Sequence, residues 1–280
     1  MALAPDLPGL AAPTGWSGVP QPLRAAVEAV AGPVLAAAEV PAGRTARLRL
    51  VLDVPGRRVF LKATPISHRH APTLDVEANI APAVRFFSPS LLHHGTAGGW
   101  RWLLFEHVPG RCADLSEGSA DLDAAARALR HLARLPAPGA AVLRADERWA
   151  HLGAGLDLGL LAGDRLVHTD LNPGNILIRS DGGAVLLDWA RPGRGAGWLS
   201  SGFLLAQVVD AGTRPADAEA WASRALPGWA AAPAAAADTF VTALTRRRAE
   251  QAATCLPGRR AEREGQLRSA MAWYRWRTRT

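Results

Sequence analysis

Val167-His168-Thr169-Asp170-Leu171-Asn172-Pro173-Gly174-Asn175-Ile176-Leu177-Ile178 holds an acid, an amide and a strand in one short run. Pro173-Gly174 predicts a turn that folds Asn175 back toward Asp170, after which Ile176 to Arg179 leaves as a strand. Asp181-Gly182-Gly183 is a hairpin signal, returning Ala184 to Leu187 as a second strand with Asp188 at its end. Two strands joined in this way bring Asp170, Asn175 and Asp188 together. Such a set of carboxylate and amide oxygens suits a divalent cation and a phosphate.

The spacing His168-x-Asp170-x-x-x-x-Asn175 matches the catalytic-loop pattern of kinases. Asp188-Trp189-Ala190 stands where protein kinases carry Asp-Phe-Gly. With Trp and Ala in place of Phe and Gly, and with Leu-Asn-Pro-Gly-Asn after Asp170, the segment resembles the aminoglycoside phosphotransferase and choline kinase family more than the protein kinases. The resemblance implies an α+β, bilobal protein-kinase-like fold, with a small antiparallel-sheet N-lobe carrying one main helix and a larger, mainly helical C-lobe. It implies ATP or GTP and Mg2+ as cofactors. It also implies Asp170 as the base that takes the acceptor hydroxyl's proton, Asn175 and Asp188 as metal ligands, and His168 in the catalytic set as a hydrogen-bonding brace.

Upstream, Val34 to Val40, Ala46 to Val54 and Arg58 to Ala63 alternate as strands, with Pro55-Gly56-Arg57 as a turn between the last two. Lys62 falls on the third strand. Thirty-one of the thirty-two basic side chains are Arg, so a lysine kept here fits a task for a compact point charge, such as meeting phosphate oxygens. Three strands and then a helix is how the family's small lobe begins, and Lys62 stands at its phosphate-binding lysine. Thr73 to Phe86 predicts the helix, shortened or kinked by Pro82, with Glu77 as the expected partner of Lys62. Pro41 to Thr45 takes the place of the phosphate-covering loop with a single glycine, and backbone amides around Gly43 and Arg44 are its candidate phosphate contacts.

Leu91 to Gly95 and Trp100 to Val108 read as further strands, and the second enters Glu106-His107-Val108-Pro109-Gly110. This resembles the family's hinge, which implies that main-chain groups at Glu106 and Val108 bind the nucleotide base. The expected organisation is a flexible Pro/Gly-rich tail over 1–22, with a short helix from Leu23 to Ala31 opening an N-lobe over 23–108 and a C-lobe over 109–280. In the C-lobe, Asp121 to Leu135 is an amphipathic helix and Ala145 to Leu161 reads as a helix or helix pair. After Asp188 the family carries another acid that braces the loop, but here the run Gly197-Trp198-Leu199-Ser200-Ser201-Gly202 offers serine. Phe203 to Val209, Pro215 to Leu226, Thr239 to Cys255 and Ala261 to Arg277 read as helices, with Leu267, Met271 and Tyr274 as the core face of the last.

The chain has 280 residues, 49% of them hydrophobic and 20% charged, an ordinary balance for a soluble globular protein. No run of about 18 apolar residues suggests a membrane span, the first residues lack a basic signal region, and two cysteines do not make a disulfide framework. A cytoplasmic protein is expected. The whole net charge of +7 resides in 221–280, where eleven Arg face four acids. Those arginines alternate with Ala, Glu and Gln as on a solvated helix face, so no nucleic-acid partner is expected. The histidines of Ser67-His68-Arg69-His70 and His93-His94 lack the further ligands of a zinc set.

The expected partner is a small hydroxylated acceptor. Family members that modify cationic aminoglycosides are expected to present acids from the C-lobe, whereas the last helices here are basic. A neutral or anionic acceptor therefore fits at least as well, although Asp217, Glu219, Asp238 and Glu250 could form a local acidic cluster. The alternative function is a nucleotide-binding pseudokinase with a regulatory or scaffold role. Oligomeric state is left open.

Overall fold

The computed structural model describes residues 15–40, 46–139 and 142–279. They divide into two compact units, one running to Ala78 and resuming over Ser90–His107, the other made of Asn79–Pro89 and the chain from Val108. The expected N-lobe thus loses Asn79–Pro89 and Val108 to the second unit. The Gly43 and Arg44 expectations, and residues 1–14 of the expected tail, lie outside the described residues.

In the first unit, helix α1 (Gln21–Ala31) is followed by strands β1 (Ala36–Glu39), β2 (Leu48–Val54) and β3 (Arg57–Pro65), the start of helix α2 (Ala71–Val84), whose residues from Asn79 belong to the second unit, and strands β4 (Leu91–Ala97) and β5 (Trp100–Glu106). The strands form one antiparallel sheet in the order β1-β2-β3-β5-β4. Alternation sets its faces. Leu48, Leu50, Leu52, Val59, Leu61 and Ala63 pack with Leu23, Val27 and Ala31 of α1. On the opposite face Phe60, Leu103 and Phe105 pack with Leu74 and Ala78 of α2. Lys62 shares a strand face with Phe60, so the strand period points it at α2 rather than α1. The tail expectation fails from Trp16 onward: Trp16–Gly18 makes a 3-10 turn, Val19 is buried against α1, and Pro22 sits in the first turn of α1, where its missing N–H costs nothing.

The second unit adds strand β6 (Arg111–Cys112), helices α3 (Ala120–Leu132) and α4 (Ala145–Arg148), and strands β7 (Arg165–His168), β8 (Ile176–Ile178), β9 (Ala184–Leu186) and β10 (Pro192–Gly195). Helices α5 (Leu199–Asp210), α6 (Pro215–Ala225), α7 (Pro227–Ala230), α8 (Ala234–Thr254) and α9 (Arg260–Arg277) complete it. Two small antiparallel sheets, β6-β8-β9 and β7-β10, carry the stretch from Arg165 to Ile178. Behind them lies an aromatic core in which Phe240 meets Trp149, Trp198, Phe203, Trp229 and Trp273. Gly202 is required there, because a Cβ would come within 2.9 Å of the Phe240 ring.

Three expectations are corrected. Ala145 to Leu161 forms only the short α4 and two 3-10 turns, because Gly153, Gly155 and Gly159 interrupt any longer helix. The buried face of α9 is Arg263, Ala270 and Trp273, while Met271 and Tyr274 are exposed. That neighbouring stripe wins because the Trp273 indole donates to Glu219 at 2.8 Å and Arg277 pairs with the same carboxylate at 2.5 Å. Nor are the late arginines all solvated. Arg248 is buried and grips Asp210 through two bonds of 2.6 and 2.8 Å, and Arg277 binds Glu219 and Asp238. Asp217 instead meets Arg214 and Glu250 meets His151, so the four acids do not gather into one acidic cluster.

Candidate functional site

In the first unit, Lys62 Nζ lies 2.6 Å from Glu77 Oε2, and the two residues are 5% and 4% exposed. Antiparallel pairing of β3 with β2 and β5 fixes the Lys62 backbone on both sides, opposite Arg49 and Leu103. Leu74 and Ala78, each three or fewer residues from Glu77, seat α2 on the sheet and so aim Glu77 at the lysine. Breaking a buried pair costs far more than its net contribution, so each partner holds the other charged and in place. Glu106 ends β5 with an exposed side chain, and its N–H is committed to the Ser90 carbonyl at 2.9 Å. The next main-chain donor, His107, reaches the Arg58 carbonyl at 3.4 Å. Val108 is half-buried.

In the second unit, β7 delivers His168 into the interior at 2% exposure. Its Nε2 lies 2.9 Å from the Leu187 carbonyl, and its Nδ1 lies 3.2 Å from the Asp170 N–H. A carbonyl can only accept, so Nε2 carries the proton and Nδ1 accepts from Asp170. Burial pushes the His168 pKa below its ordinary value, against the raising influence of the Leu187 carbonyl and of Asp170 and Asp188. The ring is neutral and packs edge-on against Trp189, with centroids 4.5 Å apart. His168 is thereby a rigid link between the Asp170 backbone and the segment entering Asp188.

The loop is closed by amides. Asn172 Nδ2 donates to Asp170 Oδ1 at 3.0 Å, and Asn175 Nδ2 donates to the Asp170 carbonyl at 2.8 Å. With its NH2 turned to that carbonyl, the Asn175 Oδ1 faces away as an acceptor oxygen. Pro173–Asn175 makes the expected tight turn, and Leu187 N–H donates to the Asn175 carbonyl at 2.8 Å. Since β8 pairs Ile176 with Leu186, Asp188 follows directly on Leu187, the residue past β9 that is bonded to Asn175. Asp188 has φ of 63°, a left-handed conformation uncommon outside glycine. It is held from both sides: Ser88 Oγ donates to the Leu186 carbonyl at 2.8 Å and accepts the Trp189 indole N–H at 2.7 Å.

Three supports were not foreseen. Ser200, in α5, accepts the His168 N–H at 3.1 Å and so braces the loop from the stretch where an acid was expected. Asn172 touches the Asp170 carboxylate, and Ser88 ties Trp189 to β9. The Ser200 and Ser88 bonds join groups 32 and 101 residues apart, which no local pattern announces. The donor set of Asn175 and Asp188 is all oxygen, which fits a hard cation such as Mg2+ that retains several waters. Among the described residues no group of three or more His, Cys, Asp or Glu is placed to hold a metal, and no helix is long and apolar enough to cross a membrane.

An antiparallel five-stranded unit with a lysine–glutamate pair, and a mainly helical unit with an Asp–Asn loop, together make the α+β fold of the kinase-like phosphotransferases. Among solved structures of that fold, the chain is similar to a spectinomycin phosphotransferase, APH(9)-Ia, in its AMP-bound complex, with a TM-score of 0.64, 10% identity and coverage of 90% of this chain and 97% of that one. It is similar to a thermostable variant of the aminoglycoside phosphotransferase APH(4)-Ia bound to ADP and hygromycin B, with a TM-score of 0.60, 14% identity and 90% and 98% coverage. A microcompartment-associated aminopropanol kinase matches with a TM-score of 0.59, 14% identity and 87% and 91% coverage. No protein-family model and no curated protein matches the sequence.

Proposed function

We propose that this chain is a small-molecule kinase of the aminoglycoside phosphotransferase type, moving the γ-phosphoryl group of ATP or GTP to a hydroxyl of a small acceptor. Lys62, held by Glu77, meets the α and β phosphates, and main-chain groups at Glu106 and Val108 take the base, with those at Gly43 and Arg44 on the phosphates. Asp170 orients the acceptor hydroxyl and receives its proton. Asn175 and Asp188 are the ligands for Mg2+, which when bound neutralises charge on the phosphates. His168, neutral and fully hydrogen-bonded, positions Asp170 and transfers no proton itself.

The observation that carries this reading is the buried Lys62–Glu77 pair, at 2.6 Å. A buried ion pair is a poor way to stabilise a core, and hydrophobic residues of the same volume do as well or better. In a chain whose other thirty-one basic side chains are all Arg, a buried lysine on the central strand is explained by work on phosphate. The relatives in fold support it, since structures named above hold AMP or ADP, and one holds hygromycin B.

The test is nucleotide turnover with ATP and GTP, with and without Mg2+, across aminoglycosides, sugars, amino alcohols and hydroxy acids. Mg-dependent transfer to at least one acceptor supports the kinase. Tight nucleotide binding without transfer to any of them supports the pseudokinase reading.

A further inference from the structure

Three side chains hold Asp170. His168 Nδ1 accepts its N–H at 3.2 Å, Asn175 Nδ2 donates to its carbonyl at 2.8 Å, and Asn172 Nδ2 donates to its carboxylate Oδ1 at 3.0 Å. The first two fix the main chain. Of the three, Asn172 alone reaches the carboxylate itself.

Another use was open to this amide. Asn172 stands at the N-cap of the 3-10 turn Pro173–Asn175, where an asparagine ordinarily turns its side-chain oxygen to the backbone N–H groups that follow. No such cap bond forms. The turn closes through the main chain instead, with the Asn175 N–H on the Asn172 carbonyl at 2.9 Å, so the side chain is left to serve the carboxylate. Gly174 leaves room for it. A Cβ at Gly174 would stand 3.2 Å from Asn172 Oδ1, tighter than packed side chains normally come. Between the two partners Leu171 is 1% exposed and anchors the loop in the interior. Aspartate equals asparagine as a cap residue, but an ionised carboxylate at this position has no N–H to donate and would repel Asp170. The residue type therefore fits the bond to Asp170 more closely than it fits the turn.

We propose that Asn172 is a positioning residue for phosphotransfer, whose amide fixes the rotation of the Asp170 carboxylate toward the acceptor hydroxyl. This rests on the kinase reading and adds a residue to its machinery. In that reaction the acceptor oxygen bonds to phosphorus, the bond to the nucleoside diphosphate breaks, and the hydroxyl proton passes to Asp170. His168 and Asn175 set where the Asp170 backbone lies, while the side chain still turns about two single bonds. A donor on Oδ1 stops that rotation. Misplacing a reacting group by about 1 Å costs on the order of a hundredfold in rate, which is the scale on which such a donor acts.

Steady-state kinetics of the full chain with Mg-ATP and kanamycin, glucose, ethanolamine, glycerate or water as acceptor, on wild type and three Asn172 variants, provide the test. Asn172→Leu keeps the volume without a donor, Asn172→Asp keeps the shape with acceptors only, and Asn172→His offers a ring N–H at the same place along the side chain. The Asn172→Leu and Asn172→Asp changes should lower kcat on the best acceptor about tenfold to a hundredfold, with nucleotide Kd within about threefold of wild type and the melting temperature unchanged. Asn172→His should recover most of that loss. An unchanged kcat in Asn172→Leu, or no recovery in Asn172→His, overturns the proposal and leaves the kinase reading standing. Loss of kcat matched by a lower melting temperature in all three variants assigns the side chain to the turn and overturns it too. If wild type transfers phosphate to none of the acceptors, the kinase reading falls, and crystal structures of wild type and Asn172→Leu decide the rest. An Asp170 carboxylate that turns to another rotamer in the variant supports the hold of Asn172 on it, and one that stays in place overturns it.

Discussion

Replacing Glu77 by Gln keeps its shape and removes its charge, leaving the Lys62 ammonium buried at 5% exposure without its carboxylate. Loss of one partner from a buried pair costs about 3–5 kcal/mol. For a protein of this length each kcal/mol moves the melting temperature by about 2–4 °C, so the variant should melt roughly 6–20 °C lower. A Lys62→Met/Glu77→Leu double variant removes both charges and fills the same volume. It should recover most of that loss, because a well-packed apolar pair replaces a buried ionic one at little or no net cost. Differential scanning calorimetry on wild type, Lys62→Met, Glu77→Leu and the double variant closes the cycle. A shift under 2 °C for Glu77→Gln, or a double variant as unstable as the sum of its singles, would refute the claim that the pair is buried and mutually dependent. Phosphotransfer should remain lost in the stable double variant, separating the pair's chemical role from its structural one.

Ser200→Ala leaves the buried His168 N–H without an acceptor, at a cost of about 1–3 kcal/mol, and chemical denaturation of the second unit should show it. The His168 pKa is lowered in the fold, so the unfolded chain binds the extra proton first as pH falls through the ordinary histidine value of about 6.5. Stability from the neutral ring is therefore full above that value and lost below it, toward the depressed folded value. Melting temperatures at pH 7.5 and 5.5 should fall further for wild type than for His168→Asn. Arg248→Met strands the buried Asp210 carboxylate, whose burial already raises its pKa, and should cost about 3–5 kcal/mol at pH 7 and less at pH 4, as followed by urea unfolding.

The sheet of the first unit was legible because its strands alternate cleanly, as in Leu48, Leu50, Leu52 and Val54, and because Lys62 stands out in an arginine-rich chain. The turns around the His168 to Asn175 stretch were legible because Pro173-Gly174 and Asp181-Gly182-Gly183 are turn signals whose geometry follows from backbone chemistry alone. Gly182 does adopt the positive φ such a turn needs, at 76°. The face of α9 was not legible, since hydropathy treats arginine as outward-facing, and here Arg263 and Arg277 turn inward. Ser200 was hidden for a different reason. Its partner lies 32 residues away, and a serine's role as acceptor exists only once α5 has packed beside β7. The left-handed backbone of Asp188 likewise depends on Ser88, Leu186 and Trp189 meeting across about a hundred residues, which no local pattern encodes.

Asp170→Ala isolates the chemistry from nucleotide binding. Single-turnover transfer and nucleotide affinity should be measured on the same preparation, with the acceptor that wild type uses best. Turnover should drop by a factor of about 100 or more while nucleotide Kd changes less than threefold. Full phosphotransfer by Asp170→Ala would contradict the assignment of that carboxylate, and with it the proposed reaction.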